Sequence, residues 1–202
     1  PNFTLENNNI VSKTYLKGEI NKRIICLANL KKPKNHITIL KAFNETKLNH
    51  FSWSLHFIGK IYNDNYFDEL KSFIREKGLE ENVFMYDSKE DVSFILKQAT
   101  IAVLASEYEG FPVSLLEYGY SGLPTISTDV GYCSSLIKDG YNGLLFNPGN
   151  PETLKEQFLK LAFDNEFQTK LGTNLKTNVL NQYSCCEIIK DVIKKYNYII
   201  NE

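Results

Sequence analysis

The sequence predicts an α/β domain in which a parallel β-sheet is covered by helices on both of its faces. Short apolar runs alternate with helical patterns through the first 150 residues, and such strand–helix repetition is typical of a parallel sheet. The run 101–105 (Ile-Ala-Val-Leu-Ala) is apolar throughout, as expected for a strand buried on both faces. After residues 148–150 (Pro-Gly-Asn) only helical patterns follow, which predicts a helical C-terminal appendage.

The elements can be assigned in chain order from these patterns. We predict strands at 23–28, 53–59, 82–86, 101–105, 125–127 and 143–146. Helices are predicted between them at 36–48, 65–78, 89–98 and 113–121, with a shorter one at 134–138. The C-terminal helices are predicted at about 151–164, 166–182 and 184–201. The first of these has Asn150 as its cap and Pro151 in its first turn, a favourable helix start.

Composition narrows the classes of function. The chain has 202 residues, with 23 lysines and arginines against 24 acidic residues and a formal net charge of −1. This balance argues against a broad nucleic-acid interface, which needs a basic face. No apolar run approaches the roughly 18 residues that cross a bilayer. We therefore expect a cytoplasmic protein, with a position at the inner face of the membrane as a further option for the full-length protein.

The cysteines and histidines do not form a recognisable metal site. Cys26, Cys133, Cys185 and Cys186 include no Cys-x2-Cys pair, and none has a histidine at the spacing of a metal ligand. The three histidines are scattered along the chain. The cysteines are therefore interpreted as free thiols of a reducing cytosol. The sequence predicts neither a metal nor a resident cofactor.

The most informative segment runs from Glu109 to Glu117. It places two carboxylates eight positions apart, directly after a predicted buried strand, and Pro112 between them is suited to the first turn of a helix. A helix start presents free N–H groups and a positive dipole end, which suit a phosphate-bearing ligand. Carboxylates instead accept hydrogen bonds from sugar hydroxyls. A site with both features fits a molecule with both parts, namely a nucleotide sugar.

The segment resembles the Glu-x7-Glu motif of the retaining GT-B glycosyltransferases of family four, the group 1 type. The resemblance extends over essentially the whole chain, and its segments follow the family's order and spacing. They are Pro1-Asn2-Phe3, 27–30 (Leu-Ala-Asn-Leu), Lys34-Asn35-His36, 57–59 (Phe-Ile-Gly), Ser106, 109–117, 122–126, 129–131 and 139–145. It implies a Rossmann-like parallel sheet that forms the C-terminal, donor-binding half of a GT-B fold.

The resemblance also implies roles for individual residues. Glu109 is assigned to the donor sugar and Lys34 to the diphosphate, and both are named as catalytic. Glu117 is assigned to the ribose hydroxyls of the nucleotide. Donor binding further involves Asn29, Tyr86 as a stacking partner for the base, and the backbone of Gly110, Phe111 and Pro112. Like the family, the chain is expected to work without a divalent cation, and it lacks an Asp-x-Asp motif.

One departure from the family pattern lies beside the basic loop. Many members have arginine where this chain has Asn29, so one of two expected cations is missing. Either Lys31 or Lys32 substitutes from the same loop, or the diphosphate is held less tightly.

The resemblance implies a division of the chain and a function. Residues 1–20 would be an interdomain hinge and leader, 21–182 the nucleotide-sugar-binding domain, and 183–202 a C-terminal helix packing back toward a missing N-terminal domain. The expected function is a hexosyltransferase-type donor domain that binds a UDP-, GDP- or ADP-linked sugar. It would support retaining transfer to a sugar or lipid-linked acceptor, in surface polysaccharide or glycolipid synthesis. The alternative is a non-catalytic Rossmann-like nucleotide-binding or interaction module.

Overall fold

The computed structural model describes residues 13–200, including all side chains of this range except 185, 191 and 197–200. The described chain contains one six-stranded parallel sheet with the order β3-β2-β1-β4-β5-β6. The strands are β1 (Arg23–Leu27), β2 (Ser54–Ile58), β3 (Val83–Tyr86), β4 (Ile101–Leu104), β5 (Thr125–Thr128) and β6 (Leu144–Phe146). Each coincides with a predicted strand to within one residue at either end, and the predicted α/β fold class is confirmed.

Within residues 13–200, eight α-helices connect and follow the strands. They are α1 (His36–Thr46), α2 (Asn65–Glu76), α3 (Val92–Leu96), α4 (Val113–Ser121), α5 (Cys133–Leu136), α6 (Pro151–Phe163), α7 (Asn165–Tyr183) and α8 (Cys185–Ile200). Two short 3-10 helices, Lys32–Lys34 and Leu48–Phe51, were not predicted. Helix α3 is shorter than the predicted range 89–98. The Asp91 carboxylate accepts hydrogen bonds from the amide and hydroxyl of Thr14 instead of capping the helix, which begins at Val92.

The helices cover both faces of the sheet. On one face α1, α2 and α6 bury a core that includes Phe43, Phe57 and Phe158. On the other face α3, α4, α5 and part of α7 bury a second core that includes Tyr118 and Leu175. Because both faces are covered, the central strand β4 is apolar throughout instead of alternating.

The segment before β1 also lies on the second face of the sheet. The Arg23 guanidinium donates hydrogen bonds to the carbonyls of Lys17 at 3.0 Å, Gly18 at 2.8 Å and Gln98 at 3.4 Å. The Lys17 amide donates to the Tyr86 hydroxyl at 3.2 Å. Residues 14–18 are thereby fixed to the sheet. The predicted hinge, Pro1-Asn2-Phe3, lies outside the described residues.

Helix α8 follows α7 after a break at Ser184, whose backbone is extended. Its apolar side chains Ile189, Ile193 and Tyr196 are between 50% and 65% exposed. That α8 packs toward an N-terminal domain stays a prediction. Between residues 13 and 200, none of the helices combines the length and the apolar character needed to span a bilayer.

Candidate functional site

The candidate site is a crevice at the carboxyl ends of the central strands. The chain runs from β1 outward to β2 and β3 on one side, and β4 to β6 lie on the other, so the strand order reverses between β1 and β4. Ligands of open α/β sheets bind at such a switch point. A cavity of about 420 Å³ opens there. It is lined by Leu27, Ala28, Asn29, Lys34, Ile58, Gly59, Ser88, Lys89, Val92, Glu109, Phe111, Pro112, Val113, Ser114 and Glu117.

Lys34 and Glu109 meet in this crevice. Lys34 ends the 3-10 helix that links β1 to α1, and Glu109 lies in the loop after β4. The Lys34 Nζ is 2.6 Å from Glu109 Oε1. The Glu109 side chain is only 10% exposed and that of Lys34 is 32% exposed, so the pair is shielded more than a surface ion pair. The structure thus places a cation and a carboxylate together at one end of the cavity.

Further contacts fix the position of Glu109. The Ser106 hydroxyl donates to Glu109 Oε1 at 2.7 Å. The Thr128 hydroxyl at the end of β5 donates to the Ser106 carbonyl at 2.8 Å. Gly131 packs its backbone against the Glu109 carbonyl, because a Cβ at position 131 would lie 1.7 Å from that oxygen. Glu109 is therefore held by its own loop and by the loop after β5.

Glu117 reaches the cavity from α4. The helix begins at Val113, with Pro112 as its cap residue, and ends before Gly122, whose left-handed backbone closes it. Burial raises the pKa of the Glu117 carboxyl above its usual range. The cavity also meets Val113 and Ser114, the first residues of α4. Amides in a first helical turn have no partner within the helix and can receive an anion.

The remaining predicted donor-binding residues differ in position. Asn29 and Phe111 line the cavity, and Gly110 adjoins the lining residues Glu109 and Phe111. The Asn29 Oδ1 accepts from the amide of Lys60 at 3.0 Å, which ties the end of β1 to the loop after β2. Tyr86 does not line the cavity. Its ring stacks on His56 and its hydroxyl accepts a hydrogen bond from the Lys17 amide, and its stacking on a base stays a prediction.

The lysines of the basic loop are not equivalent. The Lys31 ammonium lies 4.5 Å from the centre of the Tyr62 ring, a cation–π contact outside the lining of the cavity. Lys32 does not line the cavity either. Lys89, in the loop between β3 and α3, does line it and was not identified from the sequence. The sequence pattern placed Lys89 inside a helix at 89–98, whereas in the structure Lys89 belongs to a loop that runs on to Asp91.

No group of three or more His, Cys, Asp or Glu side chains in the described part of the chain is placed to hold a metal ion. Among those same residues, Cys26 and Cys133 are buried free thiols and Cys186 is an exposed one.

Comparison with known proteins identifies the family. The profile of the family described as Glycosyl transferases group 1 matches residues 8–178. The chain belongs to this family, since the match covers most of its length.

Individual relatives are similar over parts of the chain. The poly(ribitol-phosphate) alpha-N-acetylglucosaminyltransferase of Staphylococcus aureus is 27% identical over 131 residues, which are 64% of this chain and 27% of that protein. The N-acetyl-alpha-D-glucosaminyl L-malate synthase of Bacillus anthracis is 23% identical over 95% of this chain and 49% of the relative. The chain thus spans half or less of the length of these two relatives.

A solved structure confirms the fold. The crystal structure of Anabaena HepE in complex with UDP and glucose superposes with a TM-score of 0.82 and 18% sequence identity. The superposition covers 88% of this chain and 48% of HepE. At this identity the likeness shows the shared architecture alone.

Proposed function

We propose that this chain is the donor-binding half of a GT-B glycosyltransferase that binds a nucleotide-diphospho-sugar without a metal ion. The observation that carries the proposal is the arrangement of Lys34, Glu109 and Glu117 around one crevice at the switch point of the sheet. This crevice combines a cation and a helix start, which suit phosphates, with two carboxylates, which suit sugar hydroxyls.

The proposed roles follow from the charge that develops during transfer. Breaking the bond between sugar and diphosphate puts negative charge on the leaving group and positive charge on the anomeric carbon. The Lys34 ammonium and the first amides of α4 stabilise the diphosphate. Glu109, which Ser106 holds in place, orients the sugar and favours the positive carbon. Glu117 accepts hydrogen bonds from the ribose hydroxyls at the other part of the ligand.

The relatives support a role in building sugar-containing polymers or glycolipids. The Staphylococcus protein is named for transfer of N-acetylglucosamine to poly(ribitol-phosphate), and HepE has been crystallised with UDP and glucose. By analogy we propose retaining transfer of a hexose-type sugar to a sugar or lipid-linked acceptor. The acceptor pocket and its base would belong to an N-terminal domain that completes the crevice.

Calorimetric titration tests donor binding directly. Residues 1–202 are titrated with UDP, GDP and ADP, each with and without a chelator. We expect one of them to bind with modest affinity, because closure against a second domain normally completes burial of such a ligand. Affinity should not change with the chelator. Binding that the chelator abolishes would contradict the metal-free mechanism, and absence of binding to all three would contradict the proposed site.

A further inference from the structure

Tyr118 places a hydroxyl group between two strands of the sheet. Its side chain is fully buried beneath the candidate site, one position after Glu117 in α4. The hydroxyl accepts a hydrogen bond from the Leu27 amide at 2.7 Å and donates one to the Val103 carbonyl at 3.3 Å. Leu27 ends β1 and Val103 lies in β4, so one phenol bridges the two strands that flank the switch point.

This bridge replaces a direct bond between the strands. The pairing of β1 with β4 stops at Ile25 and Ala102. One more step of the same parallel register would pair Cys26 with Val103 and join the Leu27 amide directly to the Val103 carbonyl. A direct bond of this type holds nitrogen and oxygen about 2.9 Å apart. Two consecutive bonds through an inserted oxygen separate these groups further, so the strands diverge where the crevice opens.

The phenol cannot easily withdraw from this position. Helix α4 packs closely on α7 at Gly119, where an added Cβ would lie 2.5 Å from Cγ2 of Val179. The same backbone carries Glu117, which lines the cavity, as does Leu27. The position of the Tyr118 ring between the strands therefore also fixes the position of the Glu117 side chain in the crevice.

We propose that Tyr118 is a positioning residue for the donor nucleotide. Its hydroxyl acts as a spacer that keeps β1 and β4 apart at the crevice and fixes Glu117 at the ribose end of the ligand. The inference rests on the proposed nucleotide binding, and it adds a residue that never touches the ligand. Without the hydroxyl, the Leu27 amide and the Val103 carbonyl both lose this partner, and they can regain one by closing onto each other.

The substitution Tyr118→Phe tests the binding consequence. The matched control is Tyr120→Phe on the same helix, which removes a hydroxyl that donates to the Tyr183 carbonyl outside the crevice. The ligand is whichever of UDP, GDP and ADP binds the wild-type chain most tightly. At a temperature where both variants are folded, we expect Kd to rise at least fivefold for Tyr118→Phe and less than twofold for Tyr120→Phe. Unchanged Kd for Tyr118→Phe, or an equal rise in both variants, would overturn the proposal.

A structural measurement separates the spacer from a general loss of stability. Crystal structures of the wild type and of Tyr118→Phe should show the distance from Leu27 N to Val103 O falling to about 3 Å in the variant. An unchanged distance would overturn the proposed role of the hydroxyl as a spacer. This test does not depend on nucleotide binding, so it can be read even if the proposed function fails. Should Tyr118→Phe not fold, nuclear magnetic resonance of the wild type decides. The Leu27 amide should shift on nucleotide titration, and a resonance that stays in place while ligand binds would overturn the proposal.

Discussion

Glu109 and Gly131 touch through their backbones, and the contact leaves no room for a side chain on the glycine. A Cβ at position 131 would lie 1.7 Å from the Glu109 carbonyl oxygen, and Gly131 has a φ of +52°. The loops after β4 and β5 therefore share a fixed geometry at the sugar end of the proposed site. Two separate requirements, space and a left-handed backbone, apply at the same residue.

Gly131→Ala is expected to destabilise the fold more than an equivalent change elsewhere. The matched control is Gly140→Ala, since Gly140 also has a positive φ, of +70°, but no atom within 4 Å of an added Cβ. The control should lose about 1–2 kcal/mol, the cost of the left-handed backbone alone. Gly131→Ala should lose more than about 3 kcal/mol, as expected where a steric clash adds to this cost. Urea unfolding measures both values, and equal losses would contradict the contact.

Glu117→Ala should weaken binding of the nucleoside diphosphate. Loss of hydrogen bonds to a charged group costs about 1.5–3 kcal/mol, or roughly ten- to a hundredfold in Kd. The fold should survive, because burial raises the pKa of this carboxyl, so the ionised group costs stability at neutral pH and its removal does not weaken the fold. Calorimetry on Glu117→Ala is compared with Glu76→Ala, an exposed position of α2. Full affinity in a folded Glu117→Ala variant would rule out the ribose assignment.

Glu109→Ala should separate the sugar from the nucleotide. Because Glu109 is assigned to the sugar, the variant should bind the nucleoside diphosphate within about twofold of the wild type. Affinity for the matching nucleotide sugar should fall by about 1.5–3 kcal/mol. Parallel titrations with the two ligands provide the measurement. A loss of the same size for both ligands would refute this division of roles.

Ser106→Ala should reproduce part of the Glu109 effect. The Ser106 hydroxyl donates to the carboxylate at 2.7 Å, and without it Oε1 of Glu109 keeps only the Lys34 bond. We expect a loss of about 1 kcal/mol in nucleotide-sugar affinity, typical of one hydrogen bond, and little change for the nucleoside diphosphate. Ser72→Ala on α2 is the control, since Ser72 is remote from the crevice. As a further check, the double variant Ser106→Ala/Glu109→Ala should bind the nucleotide sugar as tightly as Glu109→Ala alone. If the two losses of affinity add instead, Ser106 acts through another residue.

The two buried histidines are expected to lower the free energy of unfolding in mild acid. Burial lowers the pKa of His36 to about 4 and that of His56 to about 3, from an ordinary value of 6.5. The folded state therefore keeps both rings neutral while the unfolded chain binds protons. Their contribution is fully present above about pH 6.5 and is lost as the pH falls toward 4. The slope approaches about 1.4 kcal/mol per pH unit for each histidine.

Denaturant unfolding at pH 7, 6 and 5 measures this slope. His36→Leu should remove the part of the slope that His36 causes. The control variant His50→Gln, at an exposed position, should leave the slope unchanged. A slope that His36→Leu does not alter would contradict the neutral buried imidazole.

Local signals account for what the sequence predicted well. Helix α4 was predicted with its observed bounds because Pro112 and Gly122 flank it, and both act through their own backbone. Helix α3 was predicted three residues too early because Asp91 binds Thr14, 77 positions away. The Lys34–Glu109 pair spans 75 positions and was not predicted, since family resemblance assigned the two residues separately to the diphosphate and to the sugar. The Tyr118 bridge depends on how two strands diverge, which no local pattern encodes.

Arg23 gives the segment ahead of the first strand a structural role. The residue is only 7% exposed, and two of its three carbonyl acceptors belong to Lys17 and Gly18. A chain trimmed to begin at residue 21 would leave this guanidinium buried with the Gln98 carbonyl alone. Removing residues 14–18 would also take away the Lys17 amide that donates to the Tyr86 hydroxyl. For truncation and for limited proteolysis, the described contacts therefore place Thr14 to Gly18 inside the folding unit, together with β1.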